Sequence, residues 1–225
     1  MTRAANARIA GTTFLVYIAA GLTSLALFRR AAAGEGIAAK LATLATHPTE
    51  VGVVVLLGLV QCFSAIVLGV TLYALTRDAD SDLAMLGLVS RVGEGLIGAF
   101  SIPATLALLW LATAGGADAP ETSAAHALAG YLMRNDIALS ATFFAVGSTA
   151  FCWLLLRGRM IPTALAWLGV AASVLLVIAL PLQLAGWLPE TIAMAIWLPM
   201  LLFEVPLAIV LITRGATPLT QAEVR

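Results

Sequence analysis

One long apolar stretch, residues 83–111, carries two opposite charges near its middle, Arg91 and Glu94. A charged side chain at the bilayer centre costs roughly 3 kcal/mol or more, so it faces protein or water rather than lipid. The small and polar residues of the stretch recur at steps of three and four, which places them on one helix face. The stretch is therefore predicted to be a transmembrane helix whose polar face is turned into a helical bundle. That face consists of Gly87, Arg91, Glu94, Gly98, Ser101 and Thr105.

The composition indicates an integral membrane protein. Of 225 residues, 61% are hydrophobic and only 11% are charged, which is too apolar for a water-soluble domain of this length. The formal net charge is zero and no basic block is present, so nucleic acid is not an expected partner. The expected surroundings are a lipid bilayer, and a small-molecule or lipid ligand remains open. The composition does not predict an oligomeric state.

Cysteine and histidine are too scarce to predict a metal or redox centre. Cys62 and Cys152 lie in separate apolar runs, so they form neither a disulfide framework nor a Cys-x-x-Cys pair. We expect both to be buried as small hydrophobic residues. His47 and His126 fall in predicted connections, which argues against bis-histidine haem and three-histidine zinc sites. No metal site is predicted, and the sequence identifies no cofactor.

The hydropathy pattern predicts a single all-α domain, residues 1–225, with six transmembrane helices. The first apolar run is retained as a helix rather than a cleaved signal peptide, because Arg29 and Arg30 separate it from any cleavage site. Short interfacial helices are expected in the connection between spans 1 and 2 and in that between spans 3 and 4. The six predicted spans are 9–28, 51–75, 83–111, 137–156, 162–184 and 191–213.

The distribution of basic residues predicts the orientation of the bundle. Six spans place both termini on one side of the membrane. Seven lysine or arginine residues fall in the connections of that side and four on the opposite side, which favours cytoplasmic termini in a multi-pass protein of the cell (inner) membrane. The seven are Arg3, Arg8, Arg77, Arg157, Arg159, Arg214 and Arg225; the four are Arg29, Arg30, Lys40 and Arg134.

Glu204, in the last span, is expected to join Arg91 and Glu94. At about 1.5 Å per residue, Glu94 and Glu204 both lie within roughly 5 Å of the midplane, on the same side of it. We therefore predict one buried cluster of Arg91, Glu94 and Glu204. Its formal charge of minus one is costly in a low dielectric, so one glutamate is expected to hold a proton near neutral pH. Such a cluster either takes part in the protein's function or only fixes the register of the packed helices.

Two further polar residues are ligand or proton-binding candidates. Gln61 lies within the second predicted span, where an amide either bonds across a helix interface or contacts a ligand. Asp136 begins the fourth predicted span and shares a face with Ser140 and Gly147. No catalytic residue is assigned.

Several stretches resemble a bacterial family of six-span membrane proteins known as a domain of unknown function, DUF4386. The family's histidine, about one turn before the aspartate of span 4, is replaced here by the segment from Tyr131 to Arg134. The resemblance implies a six-helix membrane protein and supplies no established activity. It is carried by residues 8–17, by Arg91 and Glu94, by 136–144, by 156–162 with Gly169, and by Glu204 ahead of Arg214 and Gly215.

Three function classes remain open from the sequence. A carrier for a small ligand or ion, with possible proton coupling, requires a water-accessible cavity at the cluster. An intramembrane enzyme acting on lipid or isoprenoid requires a lateral opening and an elongated apolar pocket, although no His-Glu metal motif, Gly-x-Ser-x-Gly or phosphate loop is present. A non-catalytic scaffold or sensor subunit requires a dry, closed centre. The polar cluster favours the first class.

Overall fold

A computed structural model describes residues 1–115, 119–133 and 138–216, and within these ranges the chain is helical and has no strand. The predicted all-α membrane-type fold is confirmed. Short helices occupy both connections in which interfacial helices were predicted, as α2 and α6. The helices are α1 Arg3–Ala31, α2 Gly36–Thr46, α3 Pro48–Thr76, α4 Ser81–Gly98, α5 Ser101–Thr113, α6 Thr122–Met133, α7 Ala138–Arg157, α8 Thr163–Leu184, α9 Glu190–Ala195 and α10 Leu198–Thr213.

Local sequence signals set several helix ends. The hydroxyl of Thr2 accepts a hydrogen bond from the backbone N–H of Ala5 and caps α1. The carboxylate of Asp80 accepts one from the N–H of Leu83 at 3.1 Å and caps α4 in the same way. Pro48 opens α3, where its missing N–H is not needed. The Asp80 cap fixes the start of the helix that carries Arg91 and Glu94.

Predicted spans 3 and 6 each consist of two consecutive helices in the structure. The first breaks at Ala99 and Phe100 and the second at residues 196 and 197. Each break lies within one turn before a proline, Pro103 or Pro199, whose missing N–H removes a helix bond from the preceding turn. Pro206, by contrast, lies inside α10 without ending it.

Six helices form a closed ring in which each packs against its neighbour along the chain, in the order α1, α3, α4, α7, α8, α10 and back to α1. Among the described residues, five stretches are long and apolar enough to cross a membrane: Arg3–Ala31, Pro48–Thr76, Ser81–Thr113, Thr163–Leu184, and Thr122–Arg157, of which residues 134–137 lie outside the description. The last helix of the ring, α10, is apolar but shorter, at 16 residues. The ring encloses the side chains of Arg91 and Glu94, which are buried.

Polar contacts between connections define two ends of the bundle. At the terminal end, where α1 begins and α10 ends, Arg157 lies 3.6 Å from Asp80 and the guanidinium of Arg3 donates to the carbonyl of Ala216. At the opposite end, Arg30 at the end of α1 lies 3.5 Å from Glu50 at the start of α3. Successive helices of the ring therefore run in alternating directions.

Exposed tryptophans lie near both ends of the bundle. Trp153 and Trp167 are near the terminal end, and Trp110 and Trp187 are near the opposite end. Trp167 and Trp187 are about 20 residues apart along α8 and the turn that follows it, or roughly 30 Å, which matches the thickness of a hydrocarbon core. Tryptophan is enriched at the two membrane interfaces, so this spacing is typical of a membrane-embedded bundle.

Candidate functional site

Arg91 and Glu94 form a buried ion pair on the inner face of α4. Nη1 of Arg91 lies 2.9 Å from Oε2 of Glu94, and their side chains are only 1% and 5% exposed. Spacing of three residues on one helix brings the two side chains together. The predicted polar face is confirmed in this helix, because Gly87 is also buried whereas Leu86 and Val89 are exposed.

Tyr17 of α1 completes the surroundings of Glu94. Its hydroxyl donates a hydrogen bond of 2.6 Å to Oε1 of Glu94, and its ring lies 5.5 Å from the guanidinium carbon of Arg91. The ring of Phe144, from α7, lies 4.9 Å from the same carbon. Both aromatic faces stabilise the buried cation. On the same side, the hydroxyl of Ser140 donates to the backbone carbonyl of Glu94 at 3.0 Å.

Glu204 faces the same centre from α10. It is 6% exposed, it lines a small internal cavity together with Arg91, and it interacts electrostatically with Arg91 and Glu94. The cavity has a volume of about 10 Å³, at the lower limit for one water molecule. Ser148 and Cys152 of α7 add a hydroxyl and a thiol to its wall. Arg91 is thus common to both carboxylates, since it pairs with Glu94 and shares the cavity with Glu204.

The guanidinium of Arg91 has buried N–H groups that form no hydrogen bond with the described residues. Its Nε and Nη2 atoms are fully buried and have no hydrogen-bond partner among the described residues. The contact from Nη1 to Glu94 is an ion pair whose angle does not make a hydrogen bond. Buried donors are nearly always satisfied, because each one left unmade costs about 1 to 3 kcal/mol. The edge of the guanidinium that Nε and Nη2 form is therefore available to a group that enters the centre.

Two glycines allow the neighbouring helices to approach Arg91 closely. A Cβ at Gly69 of α3 would lie 3.0 Å from the Cβ of Arg91. A Cβ at Gly147 of α7 would lie 3.1 Å from the carbonyl oxygen of Gly87 and 3.3 Å from Cγ of Arg91. Small residues on facing helices permit such packing in membrane proteins. They hold the arginine stem rigidly between α3 and α7.

The bundle is packed differently on the two sides of the centre. Towards the terminal end, the inner positions are apolar and almost fully buried, as at Leu75, Met160 and Leu211. Towards the opposite end, polar and small inner positions such as Gln61 and Ser101 are only half-buried. Beyond the break in predicted span 3, α5 packs against α2, α3 and α6, whereas α4 packs mainly against α3 and α7. Inner positions next to the centre are therefore packed more tightly on the terminal side than on the opposite side, and beyond the latter a second buried apolar cluster that includes Leu44, Val51 and Ala129 lies at the opposite end.

The remaining sequence candidates lie apart from this centre or outside the described residues. The amide of Gln61 packs against Gly21 of α1 and is not among the residues that line the cavity. Asp136 lies outside the described residues. Within the described ranges, no group of three His, Cys, Asp or Glu side chains is placed to hold a metal ion.

Sequence reasoning missed Tyr17 as a site residue, although it lies within the first predicted span. A signal was available, because the hydroxyl of a tyrosine inside a membrane span needs a buried partner. Cys152 was correctly predicted to be buried, but its place on the cavity wall was not anticipated. The same prediction was wrong for Cys62, which is only half-buried.

A larger groove of about 470 Å³ lies between α1 and α3. Its wall is mostly apolar and includes exposed Leu56 and Phe63. The groove shares no lining residue with the cavity at Arg91. It therefore gives the polar centre no lateral opening to lipid.

The fold and site define a helical membrane protein with a buried arginine–glutamate pair at the centre of its bundle. Within that class, the chain belongs to the DUF4386 family, described as a domain of unknown function, whose family model matches residues 9–215. The resemblance seen in the sequence is thereby confirmed. No curated protein matches the chain, and no solved structure does so either.

Proposed function

We propose that this protein binds a small ligand or ion at Arg91, Glu94 and Glu204 and moves it across the cell membrane with proton coupling, its termini lying in the cytoplasm. The observation that carries the proposal is the guanidinium edge of Arg91, buried but without hydrogen-bond partners in the described residues. An arginine that served only to fix helix register would be expected to use these donors on neighbouring side chains or carbonyls.

The uneven packing supports access from one side. A carrier binds its ligand near the midplane and exposes the site to one side at a time. Tight apolar packing at the terminal end and half-buried polar positions at the opposite end fit a bundle closed towards the cytoplasm. The breaks in predicted spans 3 and 6 lie on the less tightly packed side of Glu94 and Glu204, where they can act as hinges.

A scaffold or sensor subunit is the second candidate. It is favoured by the size of the cavity, about 10 Å³, which leaves room for one water molecule at most. An enzyme acting on lipid is supported less, because the α1–α3 groove and the cavity have no residue in common. The carrier and scaffold differ in whether water reaches the centre, which an accessibility experiment decides.

The test uses single cysteines in a background from which Cys62 and Cys152 have been replaced by alanine. The Ser140→Cys variant places a thiol beside Glu94 on the less tightly packed side, and the Ser173→Cys variant is a control at a fully buried position of α8. Both proteins are reconstituted into liposomes and treated with a charged, membrane-impermeant methanethiosulfonate.

The proposal predicts that the Ser140→Cys variant reacts and that the Ser173→Cys variant does not. If the Ser140→Cys variant remains unmodified in liposomes but reacts after denaturation, the centre is dry and the scaffold interpretation replaces the carrier. Equal reaction at both positions would indicate a loosened bundle. Size-exclusion chromatography then identifies such a preparation, and the pair is repeated with Ser101→Cys in place of Ser140→Cys.

A further inference from the structure

We infer that the ligand of this centre is a compact monovalent anion, bound by the Nε and Nη2 edge of Arg91 and admitted together with a proton on Glu204. The inference rests on the proposed function and names its substrate class. It follows from the unfilled donors, from the charges that surround them and from the residues that line the cavity.

The donor geometry of Arg91 selects an anion. Nε and Nη2 lie on one edge of the guanidinium and form the parallel pair of donors that binds two oxygens of a planar anion. Nη1 is already engaged by Glu94, so this edge is the part of the group that remains. The neighbouring rings of Phe144 and Tyr17 present their faces to the guanidinium and do not compete for these donors. A neutral solute would form weaker hydrogen bonds with this edge than an anion does.

The charge balance requires a proton to accompany the anion. Among the described residues, the titratable groups that surround Glu204 are Tyr17 from α1, Arg91 and Glu94 from α4, and Cys152 from α7. The packed helix α8 contributes no titratable side chain, as its sequence contains none.

The charges of Arg91 and an ionised Glu94 cancel, so an ionised Glu204 gives the centre a net charge of minus one. That charge repels an anion that enters the centre. A proton on Glu204 removes that charge, and the anion then brings the centre back to minus one rather than to minus two. Because like charges in a low dielectric repel strongly, proton and anion bind cooperatively.

The size of the cavity limits the anion and implies a wider bound state. A volume of about 10 Å³ holds no more than one water molecule, so an anion as large as nitrate enters only when the helices that line the cavity separate slightly. Apart from the hydroxyl of Ser148 and the thiol of Cys152, the wall beside Arg91 and Glu204 is apolar, and no second cation of the described residues lines it that would suit a polyvalent anion. A small, singly charged anion is therefore the class that fits.

The experiment measures binding of sodium nitrate, sodium chloride and sodium sulfate to the purified full-length protein in detergent, by isothermal titration and by the shift in melting temperature. Nitrate is expected to bind most tightly, chloride less tightly and sulfate not at all. For the wild type, nitrate affinity should increase by up to about tenfold for each pH unit of acidification while Glu204 titrates, since one proton accompanies one anion.

Variants separate the parts of this inference. The Glu204→Gln variant should bind nitrate with an affinity that no longer depends on pH, and the Arg91→Lys variant should lose nitrate binding because it lacks the paired donors. Glu35→Gln is the matched control, since Glu35 is exposed outside the centre, and it should behave as the wild type. Nitrate binding that is independent of pH in the wild type would overturn the coupling with the proton, whether or not the variants fold.

Binding of sulfate in preference to nitrate would overturn the anion class, as would the absence of any anion effect. If the Ser140→Cys position is accessible from water and no anion binds, the ligand class is wrong while the proposed function stands. If the position is inaccessible and no anion binds, both fail.

Discussion

Tyr17 and Glu94 are 77 residues apart in the sequence and are joined by a hydrogen bond of 2.6 Å from the phenol to Oε1. This bond links α1 to α4 across the inside of the ring, although these helices are not neighbours in it. Glu94 therefore contacts two different groups through its two oxygens, the phenol through Oε1 and Arg91 through Oε2. The carboxylate is held in place from both sides.

Replacement of Tyr17 by phenylalanine should destabilise the protein by about 1.5 to 3 kcal/mol, because a buried hydrogen bond to a charged group is lost while the ring over Arg91 is kept. Unfolding by sodium dodecyl sulfate in mixed micelles measures the change. Tyr73→Phe is the control, since Tyr73 is a half-buried tyrosine of α3 outside the centre. Equal losses in the two variants would contradict the importance of the phenol at Glu94.

Removal of the Arg91 charge should greatly lower the free energy of unfolding, and a second substitution should restore part of it. The Arg91→Met variant leaves Glu94 buried without its cation, with an expected loss of about 3 to 5 kcal/mol. The Arg91→Met/Glu94→Gln double variant should lose less, because no uncompensated Glu94 charge remains. Arg157→Met, in the exposed pair with Asp80, is the control and should cost about 1 kcal/mol or less. A double variant less stable than Arg91→Met would contradict the pairing.

A methyl group at Gly95 should force α3 and α4 apart beside the site. A Cβ there would lie 2.8 Å from the carbonyl oxygen of Cys62, which is backbone and cannot rotate away. The Gly95→Ala variant should therefore lose about 1 to 3 kcal/mol. Gly52→Ala is the matched control on α3, where a Cβ meets nothing within 4 Å, and it should stay within about 0.5 kcal/mol of the wild type. Thermal unfolding in detergent measures both, and a neutral Gly95→Ala would show that the helices separate at little cost.

The predicted orientation can be tested at two exposed positions. In the cysteine-free background, the Glu35→Cys variant reports on the opposite end of the bundle and the Asp78→Cys variant on the terminal end. An impermeant maleimide added to intact cells should label the former, and the latter should be labelled only after the membrane is permeabilised. The reverse pattern would place the termini outside the cytoplasm, and labelling of both in intact cells would contradict the up-and-down topology.

The fold class and the polar face of α4 could be read from the sequence because both depend on local patterns. Apolar runs of sufficient length predict helices, and small or polar residues at steps of three and four predict an inner face. The ion pair of Arg91 and Glu94 also followed, since three residues along one helix bring two side chains together whatever surrounds them. The breaks in predicted spans 3 and 6 were harder to predict from the sequence, although Pro103 and Pro199 provided a signal for them.

The sequence by itself determined a membrane-embedded helical protein with a costly pair of charges that must face inwards, because the bilayer penalises an exposed charge wherever the helix goes. The tertiary structure decided which groups meet that pair. It brought the phenol of Tyr17 to Glu94, placed Glu204 and Arg91 on one cavity, and left two guanidinium donors unfilled. These contacts join residues of different helices, so they depend on helix rotation, depth and order around the ring, which no periodicity within a single span specifies.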